Sequence, residues 1–275
     1  MRRRTRPFVA AAVQMRSTTD RERNLARAER RAEEAADLGA RFIAFPENVA
    51  YLRVEGQPAP PPEPLGGETF ARFAAMARRF RAYVLAGSIA ERAGRGRVFN
   101  TSVLFAPDGC ASGVYRKMHL FDVAIPGRAE FRESAYVRAG ARPVTVRTPL
   151  AVLGLSICYD LRFPELYRRL ALAGAHVLLV PSAFTAFTGR HHWTTLLRAR
   201  AIENLAWVVA PAQWGTHHPG RRSYGHTSIV DPWGRVVASK PRGEGVVTAR
   251  IDLDALDRVR RELPALRHVR RSLLS

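Results

Sequence analysis

LSICYDLRFPE, residues 155–165, is an apolar run that stops at Cys158 and continues as a charged segment with a proline. The apolar residues from position 151 onward indicate a buried β-strand, and Pro164 is typical of the first turn of a helix. The stretch therefore predicts a strand-to-helix turn with a cysteine at the corner. A thiol at such a turn can act as an exposed nucleophile, but a lone cysteine is also a frequent small residue of an apolar core.

Strand and helix patterns alternate on both sides of this turn. The predicted strands lie at 8–15, 41–47, 83–88, 151–158, 176–182, 206–213 and 246–252, with β-hairpins at 100–117 and 226–239. The predicted helices lie at 20–38, 68–80, 164–174, 192–205 and 253–263. This order indicates an α/β fold with two related halves, in which helices cover two stacked sheets. The proline-rich segment 57–67 is predicted to be a surface loop, and 120–143 to be irregular.

No linker pattern separates the two halves. We therefore expect one domain over residues 1–275, with a basic tail from about residue 264 that is disordered or packed on a partner. The N-terminal segment begins like a signal peptide, but Gln14 and Arg16 interrupt its apolar run. The sequence also lacks a run of about 18 apolar residues, so no membrane span is predicted.

The composition is strongly basic, with 44 Lys and Arg against 24 Asp and Glu and a formal charge of +20. Clustered cations would indicate a nucleic-acid-binding protein. The arginines are instead spread over predicted helix faces and the tail, without a recognisable reading motif. A solvated basic surface is the favoured interpretation, and a basic binding protein stays as the alternative of a different class.

Three reactive side chains follow predicted strands, where ligands of such sheets collect. They are Glu47, Lys117 and Cys158. Glu47 could accept the thiol proton, and burial would raise the pKa of its carboxyl; Lys117 could stabilise a thiolate and then an oxyanion. The main-chain N–H of Tyr159 is a candidate second oxyanion donor. The structural alternatives are a buried core cysteine, a glutamate that caps a helix and a solvated lysine.

Two further groups of side chains are interpreted as structural. Cys110 lies at a predicted hairpin turn and is taken as incidental. The histidine pairs at 191–192 and 217–218 and the single His226 lack the spacing of a metal site, so no metal is predicted. We expect His192 and His226 to hold loops near the site by hydrogen bonds.

The chain resembles the nitrilase, or carbon-nitrogen hydrolase, superfamily over almost its whole length. The motifs that carry the resemblance are FPEN (45–48), YRKMHLFD (115–122), FRES (131–134) and CYDLRFPEL (158–166). The resemblance implies a four-layer α-β-β-α sandwich, without a cofactor or metal. It also implies that Glu47 is the general base and acid, Lys117 the oxyanion stabiliser and Cys158 the nucleophile that forms a thioester. Glu133 would support Lys117 and position the substrate.

Further motifs are similar to the Nit amidase branch, namely 181–204, APAQWGTHH (210–218) and RRSYGHTSIVDPWG (221–234). They imply a metabolite-repair amidase for a small ω-amide of a 2-oxo dicarboxylic acid. The favoured substrate is deaminated glutathione, which would yield 2-oxoglutarate and cysteinylglycine. The alternatives are 2-oxoglutaramate, or N-carbamoyl and nitrile substrates. Arg162 is a candidate for the substrate carboxylate, or it pairs with Asp160 or Glu165. The proline-rich loop departs from the branch and leaves the pocket entrance undefined.

The resemblance also implies a homodimer or a higher homo-oligomer that pairs through the helices near Cys158 and near 192–204. A reactive thiol in a chain with only two cysteines is typical of a reducing compartment, so we expect a cytoplasmic protein. Its partner would be a small-molecule amide, without a specific nucleic acid or a membrane.

Overall fold

The computed structural model of the protein describes residues 6–125, 129–270 and 272. The helices are α1 (Arg21–Asp37), α2 (Glu68–Phe80), α3 (Pro164–Leu172), α4 (Ala186–Asn204) and α5 (Leu253–Glu262). The strands of the first part of the chain are β1 (Phe8–Gln14), β2 (Ala40–Ala44), β3 (Tyr83–Leu85), β4 (Ile89–Gly94), β5 (Arg97–Phe105), β6 (Ala111–Arg116), β7 (Asp122–Ile125) and β8 (Ala129–Arg132). The later strands are β9 (Val144–Arg147), β10 (Val152–Leu155), β11 (Val177–Leu179), β12 (Trp207–Ala210), β13 (Trp214–His218), β14 (Arg221–Tyr224), β15 (Thr227–Val230), β16 (Val236–Lys240) and β17 (Gly245–Ile251).

Two large sheets organise these strands. The first has the order β17-β1-β2-β3-β5-β4, with β6 paired to β5, and the second has the order β16-β15-β12-β11-β10-β9. Strands β1, β2 and β3 run parallel, as do β10, β11 and β12. The reactive residues that follow β2 and β10 therefore lie at the carboxyl ends of parallel strands, where such sheets bind ligands.

Side chains of β1 alternate between two apolar cores. Ala10 and Ala12 belong to the core that also contains Leu153 and Val208 of the second sheet. Ala11 and Val13 belong to the core formed with α1 and α2. Because successive strand residues face opposite sides, this division places the first sheet between its helices and the second sheet. Helices α3 and α4 cover the second sheet, which completes the predicted α-β-β-α sandwich.

All five predicted helices are present, and four of them begin close to their predicted first residues. Asp20 caps α1 by accepting a hydrogen bond from the main-chain N–H of Arg23, and Pro164 opens α3. Helix α4 begins earlier than predicted, at Ala186, because the Thr185 side chain caps it by accepting a hydrogen bond from the N–H of Thr188. None of the helices in the described ranges is long and apolar enough to cross a bilayer.

Several strands differ from the sequence predictions. Strand β17 was expected in the second half but pairs antiparallel with β1, so the end of the chain completes the first sheet. The short hairpins β7–β8 and β13–β14 and the strands β4 and β9 are not predicted from the sequence, since each strand is only four to six residues long and too short for a clear periodic pattern. In the described part of the basic tail, the chain forms a 3₁₀ turn at Ala265–Arg267.

Gly87 allows the chain after β3 to pass close to the segment that carries Glu47. Its φ is +62°, and a Cβ at this position would overlap the carbonyl oxygen of Pro46. We expect Gly87→Ala to lower the free energy of unfolding by about 2–5 kcal/mol, from left-handed strain plus overpacking. Gly39→Ala is the matched control, because Gly39 has φ +77° but open space around its Cβ position. Urea unfolding of both variants measures the difference, and equal losses would contradict a role for the close approach.

Candidate active site

Glu47, Lys117, Glu133 and Cys158 lie together, and all four are buried. The Lys117 ammonium lies 2.9 Å from Oε1 of Glu47 and 2.8 Å from Oε2 of Glu133. The Cys158 thiol hydrogen-bonds to the Glu47 carboxylate. The main-chain N–H of Ala183 donates to the other Glu47 oxygen at 2.9 Å. The Glu47 carboxylate is thus held between a cation, an N–H group and a thiol.

The backbone is strained at Cys158, which begins a 3₁₀ turn over Cys158–Arg162 with φ +50°. A left-handed conformation is unfavourable for a cysteine and is maintained only where the surroundings enforce it. The Cys158 N–H donates at 2.9 Å to the carbonyl of Pro181, which lies just after β11 in the chain. Asn48, next to Glu47, is also left-handed, with φ +55°. Strain of this kind clusters at functional sites, so it supports a specific orientation of both side chains.

Asp160 ties the turn of Cys158 to the segment of Lys117. Its fully buried carboxylate accepts hydrogen bonds from the Ile157 N–H at 2.8 Å and from the Tyr115 hydroxyl at 2.7 Å. It also accepts the His119 N–H at 3.0 Å. Because Tyr115 and His119 flank Lys117 in the chain, one carboxylate fixes the cysteine turn relative to the lysine. Of the alternatives for Arg162, a pairing with Asp160 is therefore not the one observed, because other groups hold this carboxylate.

Asn100 belongs to the site but was not singled out from the sequence. Its Nδ2 donates to Glu47 at 3.0 Å and to Glu133 at 3.2 Å, and its carbonyl accepts the Lys117 N–H at 2.9 Å. Its only signal in the sequence was an amide side chain within strand β5, which also contains Arg97, Thr101 and Ser102, so Asn100 did not stand out from its neighbours. The structure shows that Asn100 bridges the two carboxylates.

The surroundings fix the protonation states of the three central groups. Burial favours the uncharged form of each group. For Glu47, Lys117 and hydrogen bonds from Cys158 and Ala183 outweigh burial, so its pKa is lowered. This direction is opposite to the sequence expectation. Burial and the Glu47 carboxylate raise the pKa of Cys158 well above its usual range, and the two glutamates raise that of Lys117 despite burial. At neutral pH the site therefore holds a carboxylate, an ammonium and a neutral thiol.

A carbon-nitrogen hydrolase family model matches residues 9–261. The chain belongs to the carbon-nitrogen hydrolase family. It is 44% identical over 269 residues to the deaminated glutathione amidase of Synechocystis, covering 96% of this chain and 98% of that protein. It is 42% identical over 271 residues to the human deaminated glutathione amidase, covering 96% of this chain and 83% of that protein. These findings confirm the family resemblance of the motifs.

A solved structure agrees with the fold of this carbon-nitrogen hydrolase. Nit3 of Saccharomyces cerevisiae, a member of branch 10 of the nitrilase superfamily, superposes with a TM-score of 0.84 and 29% identity. The superposition covers 95% of this chain and 96% of that chain.

The pocket of this carbon-nitrogen hydrolase is rich in charge. Its described lining residues include five cations and three carboxylates: Arg53, Lys117, Arg132, Arg162 and Arg221, with Glu47, Glu55 and Glu133. Aromatic rings of Phe121, Phe131 and Phe184 complete the walls. The excess of cations favours an anionic ligand.

Tyr159 and Arg162 both line this pocket. The Tyr159 ring contacts Phe121 edge-to-face, with ring centroids 5.0 Å apart. The Arg162 guanidinium lies 5.3 Å from the centre of the Phe184 ring, and its Nη1 lies 3.2 Å from Nδ1 of His192. The expected hydrogen bond of His192 is thus present, and it holds Arg162 at the pocket wall.

The other histidines make structural contacts. His217 lies 2.7 Å from the Ser17 carbonyl and 2.9 Å from the Ser223 hydroxyl, and burial lowers its pKa to about 4. The main-chain carbonyl of His226 accepts a hydrogen bond from the Trp193 indole at 2.8 Å. Within the described ranges, His, Cys, Asp and Glu side chains do not form a group of three or more that could hold a metal ion.

Proposed function

We propose that this protein is a cysteine-dependent amidase with Cys158 as nucleophile, Glu47 as general base and acid, and Lys117 as oxyanion stabiliser. The observation that carries the proposal is the contact of one Glu47 carboxylate with both the Cys158 thiol and the Lys117 ammonium. A neutral thiol beside an ionised carboxylate suits proton transfer during the attack. The residues act in one domain formed by the whole chain.

In the first half of the proposed reaction, the sulfur of Cys158 attacks the amide carbonyl carbon while Glu47 takes the thiol proton. The C–S bond forms and the carbonyl electron pair moves to oxygen, where Lys117 and the main-chain N–H of Tyr159 stabilise the negative charge. Tyr159 fits this role because the first N–H groups of a helical turn lack partners within the turn. The C–N bond then breaks, and Glu47 returns the proton to the leaving amine, which leaves a thioester.

In the second half, water attacks the thioester carbon and gives a proton to Glu47. The C–S bond breaks, the acid product leaves, and the Cys158 sulfur regains the proton. Glu133 keeps Lys117 charged and in place through two contacts, at 2.8 and 3.0 Å. Lys117 therefore does not need to move or exchange a proton in either half.

The proposed substrate is deaminated glutathione, which is cleaved to 2-oxoglutarate and cysteinylglycine. Two observations support this assignment. Relatives that are 41–44% identical over 96% of this chain are named deaminated glutathione amidase, and the pocket has more cations than carboxylates. Both ends of this substrate carry a carboxylate. We assign the carboxylate next to the keto group to Arg162, which His192 and Phe184 hold at the wall.

The protein is further proposed to form a homodimer in the cytoplasm. Ile202 of α4 and Trp233 are exposed apolar side chains, 46% and 48% accessible, which supports a covered face next to α4. A reducing compartment keeps the Cys158 thiol free for the reaction.

Product release by the purified protein tests the substrate assignment. Deaminated glutathione and 2-oxoglutaramate are offered separately, and cysteinylglycine and ammonia are measured. We expect cysteinylglycine to appear at least about 10-fold faster, because remote binding energy of the dipeptide is available for the transition state. Faster ammonia release would make the protein an ω-amidase. No product from either substrate, together with hydrolysis of N-carbamoyl or nitrile substrates, would replace the assignment.

A further inference from the structure

Arg53 and Arg221, two further arginines that line the pocket, form a cationic site around the Glu55 carboxylate. Arg221 begins β14, its side chain is only 10% exposed, and its guanidinium lies 4.9 Å from the centre of the Phe131 ring. Arg53 has the same side-chain exposure of 10%, and its guanidinium lies 4.1 Å from the centre of the Tyr136 ring. Both line the pocket that contains Cys158.

Arg221 has more hydrogen-bond donors than acceptors around it. Its Nε and Nη1 are buried and have no hydrogen-bond acceptor among the residues that the structure describes. Its Nη2 donates to the Ala183 carbonyl at 3.3 Å, and the nearest carboxylate, Glu55, lies 3.7 Å from Nη1. Glu55 pairs more closely with Arg53, at 2.9 Å. A buried guanidinium with free donors is unfavourable by itself, so this arrangement fits a site for an anion.

Ala183 connects this cationic site to the Glu47 carboxylate. The Ala183 carbonyl accepts from Arg221, while its N–H donates to Glu47. In the proposed reaction Glu47 gives its proton to the leaving amine. We therefore assign the side of Glu47 and Ala183 to the leaving amine, so that an anion held by Arg221 would lie on the amine side of the scissile bond and Arg162 on the acyl side.

We propose that Arg221, supported by Arg53, binds the carboxylate of the leaving amine and makes the enzyme select amides of amino acids or dipeptides over primary amides. This inference rests on the proposed function and assigns the part of the pocket that binds the leaving amine. An extended dipeptide spans at most about 7 Å, so its carboxylate stays within about 7 Å of the scissile nitrogen. Arg is suited to this task because its planar fork binds a carboxylate with two hydrogen bonds.

The test compares two substrates that differ only in the charge of the leaving group. They are deaminated glutathione and its analogue in which the terminal glycine carboxylate is a neutral amide. We expect Arg221→Met to lower kcat/KM for the acid about 10- to 100-fold, the usual effect of losing a hydrogen bond to a charged group. With the unaltered enzyme, kcat/KM for the neutral analogue should be lower than kcat/KM for the acid by a similar factor. Arg221→Met should change kcat/KM for the neutral analogue far less than kcat/KM for the acid. Arg222→Met, an exposed neighbour with the same charge change, is the matched control.

Three outcomes would overturn the proposal. The first is an equal loss on both substrates in Arg221→Met, since that would indicate a structural role through Ala183 and Glu47. The second is an equal kcat/KM for the acid and the neutral analogue with the unaltered enzyme, a comparison that holds even if Arg221→Met does not fold. The third is a similar loss on the acid in Arg222→Met. Absence of hydrolysis of every amide by the unaltered enzyme would instead contradict the proposed function.

Discussion

Replacing Cys158 with alanine is expected to lower amide hydrolysis by about 10⁴-fold or more, the scale on which covalent catalysis is lost with its nucleophile. The Glu47 carboxylate and the Lys117 ammonium stay in place in this variant, but no sulfur is left to attack the carbonyl carbon. The fold should persist, because the change removes one buried sulfur atom and keeps the hydrogen bond from the main-chain N–H of residue 158 to the Pro181 carbonyl. Steady-state kcat/KM, with circular dichroism of the same samples, measures both effects.

Cys110 provides the matched control for this prediction. It is the other cysteine of the chain, it is exposed, and it follows the turn between β5 and β6. Cys110→Ala should retain activity within about twofold, as expected of a surface substitution with little effect on the fold. Retained hydrolysis in Cys158→Ala, or loss only in Cys110→Ala, would remove Cys158 from the proposed mechanism.

Replacing Lys117 with methionine is expected to affect both activity and stability. The ammonium lies within 3.0 Å of oxygens of both Glu47 and Glu133, so its removal leaves two buried carboxylates close together. Breaking a buried ion pair in this way costs about 3–5 kcal/mol of the free energy of unfolding at neutral pH. Loss of the oxyanion donor alone lowers kcat about 10²- to 10³-fold. Urea unfolding and steady-state kinetics measure the two losses.

The stability difference should depend on pH in a defined direction. In the unaltered protein the lowered pKa of Glu47 gives a contribution that is complete above its usual value of 4.5 and is lost as the pH falls through the lowered value. The raised pKa of Lys117 gives a contribution present below 10.5 and lost as the pH rises. Without Lys117, the Glu47 carboxylate is buried without its cation, so protonation of Glu47 in acid relieves the destabilisation of the variant.

The difference between the unaltered protein and Lys117→Met should therefore narrow from pH 7 toward pH 4. A difference that stays constant over this range would show that the ammonium and the carboxylates are not coupled. Lys240→Met is the control, since Lys240 is the other lysine of the chain and lies in β16. It should be close to neutral, within about 0.5 kcal/mol.

The sequence was sufficient for the residues that follow regular strands. Glu47, Lys117 and Cys158 each come after an apolar or alternating segment, and the edge of an α/β sheet brings such positions together. The direction of the Glu47 pKa was wrong because burial was considered without its partners. Lys117 and Ala183, which lower that pKa, are 70 and 136 residues away in the chain.

Residues on short polar strands were beyond what periodicity can show. Arg221 lies in the four-residue strand β14, whose polar sequence gives no alternation of apolar residues. The pairing of β17 with β1 joins the two ends of the chain, and local patterns carry no information on such a pairing. The arginines that line the pocket could not be separated from the many exposed ones, since burial depends on the tertiary contacts.

The candidate site combines groups from both large sheets. Glu47 and Lys117 follow β2 and β6 of the first sheet, while Cys158 and Ala183 follow β10 and β11 of the second. Gln213, which follows β12, also donates to the Glu47 carbonyl at 3.0 Å. If these residues act as proposed, turnover depends on the relative position of the two sheets, and neither half of the chain could catalyse the reaction alone. A denaturant concentration that separates the two sheets is therefore expected to abolish amide hydrolysis while most helices and strands are still formed.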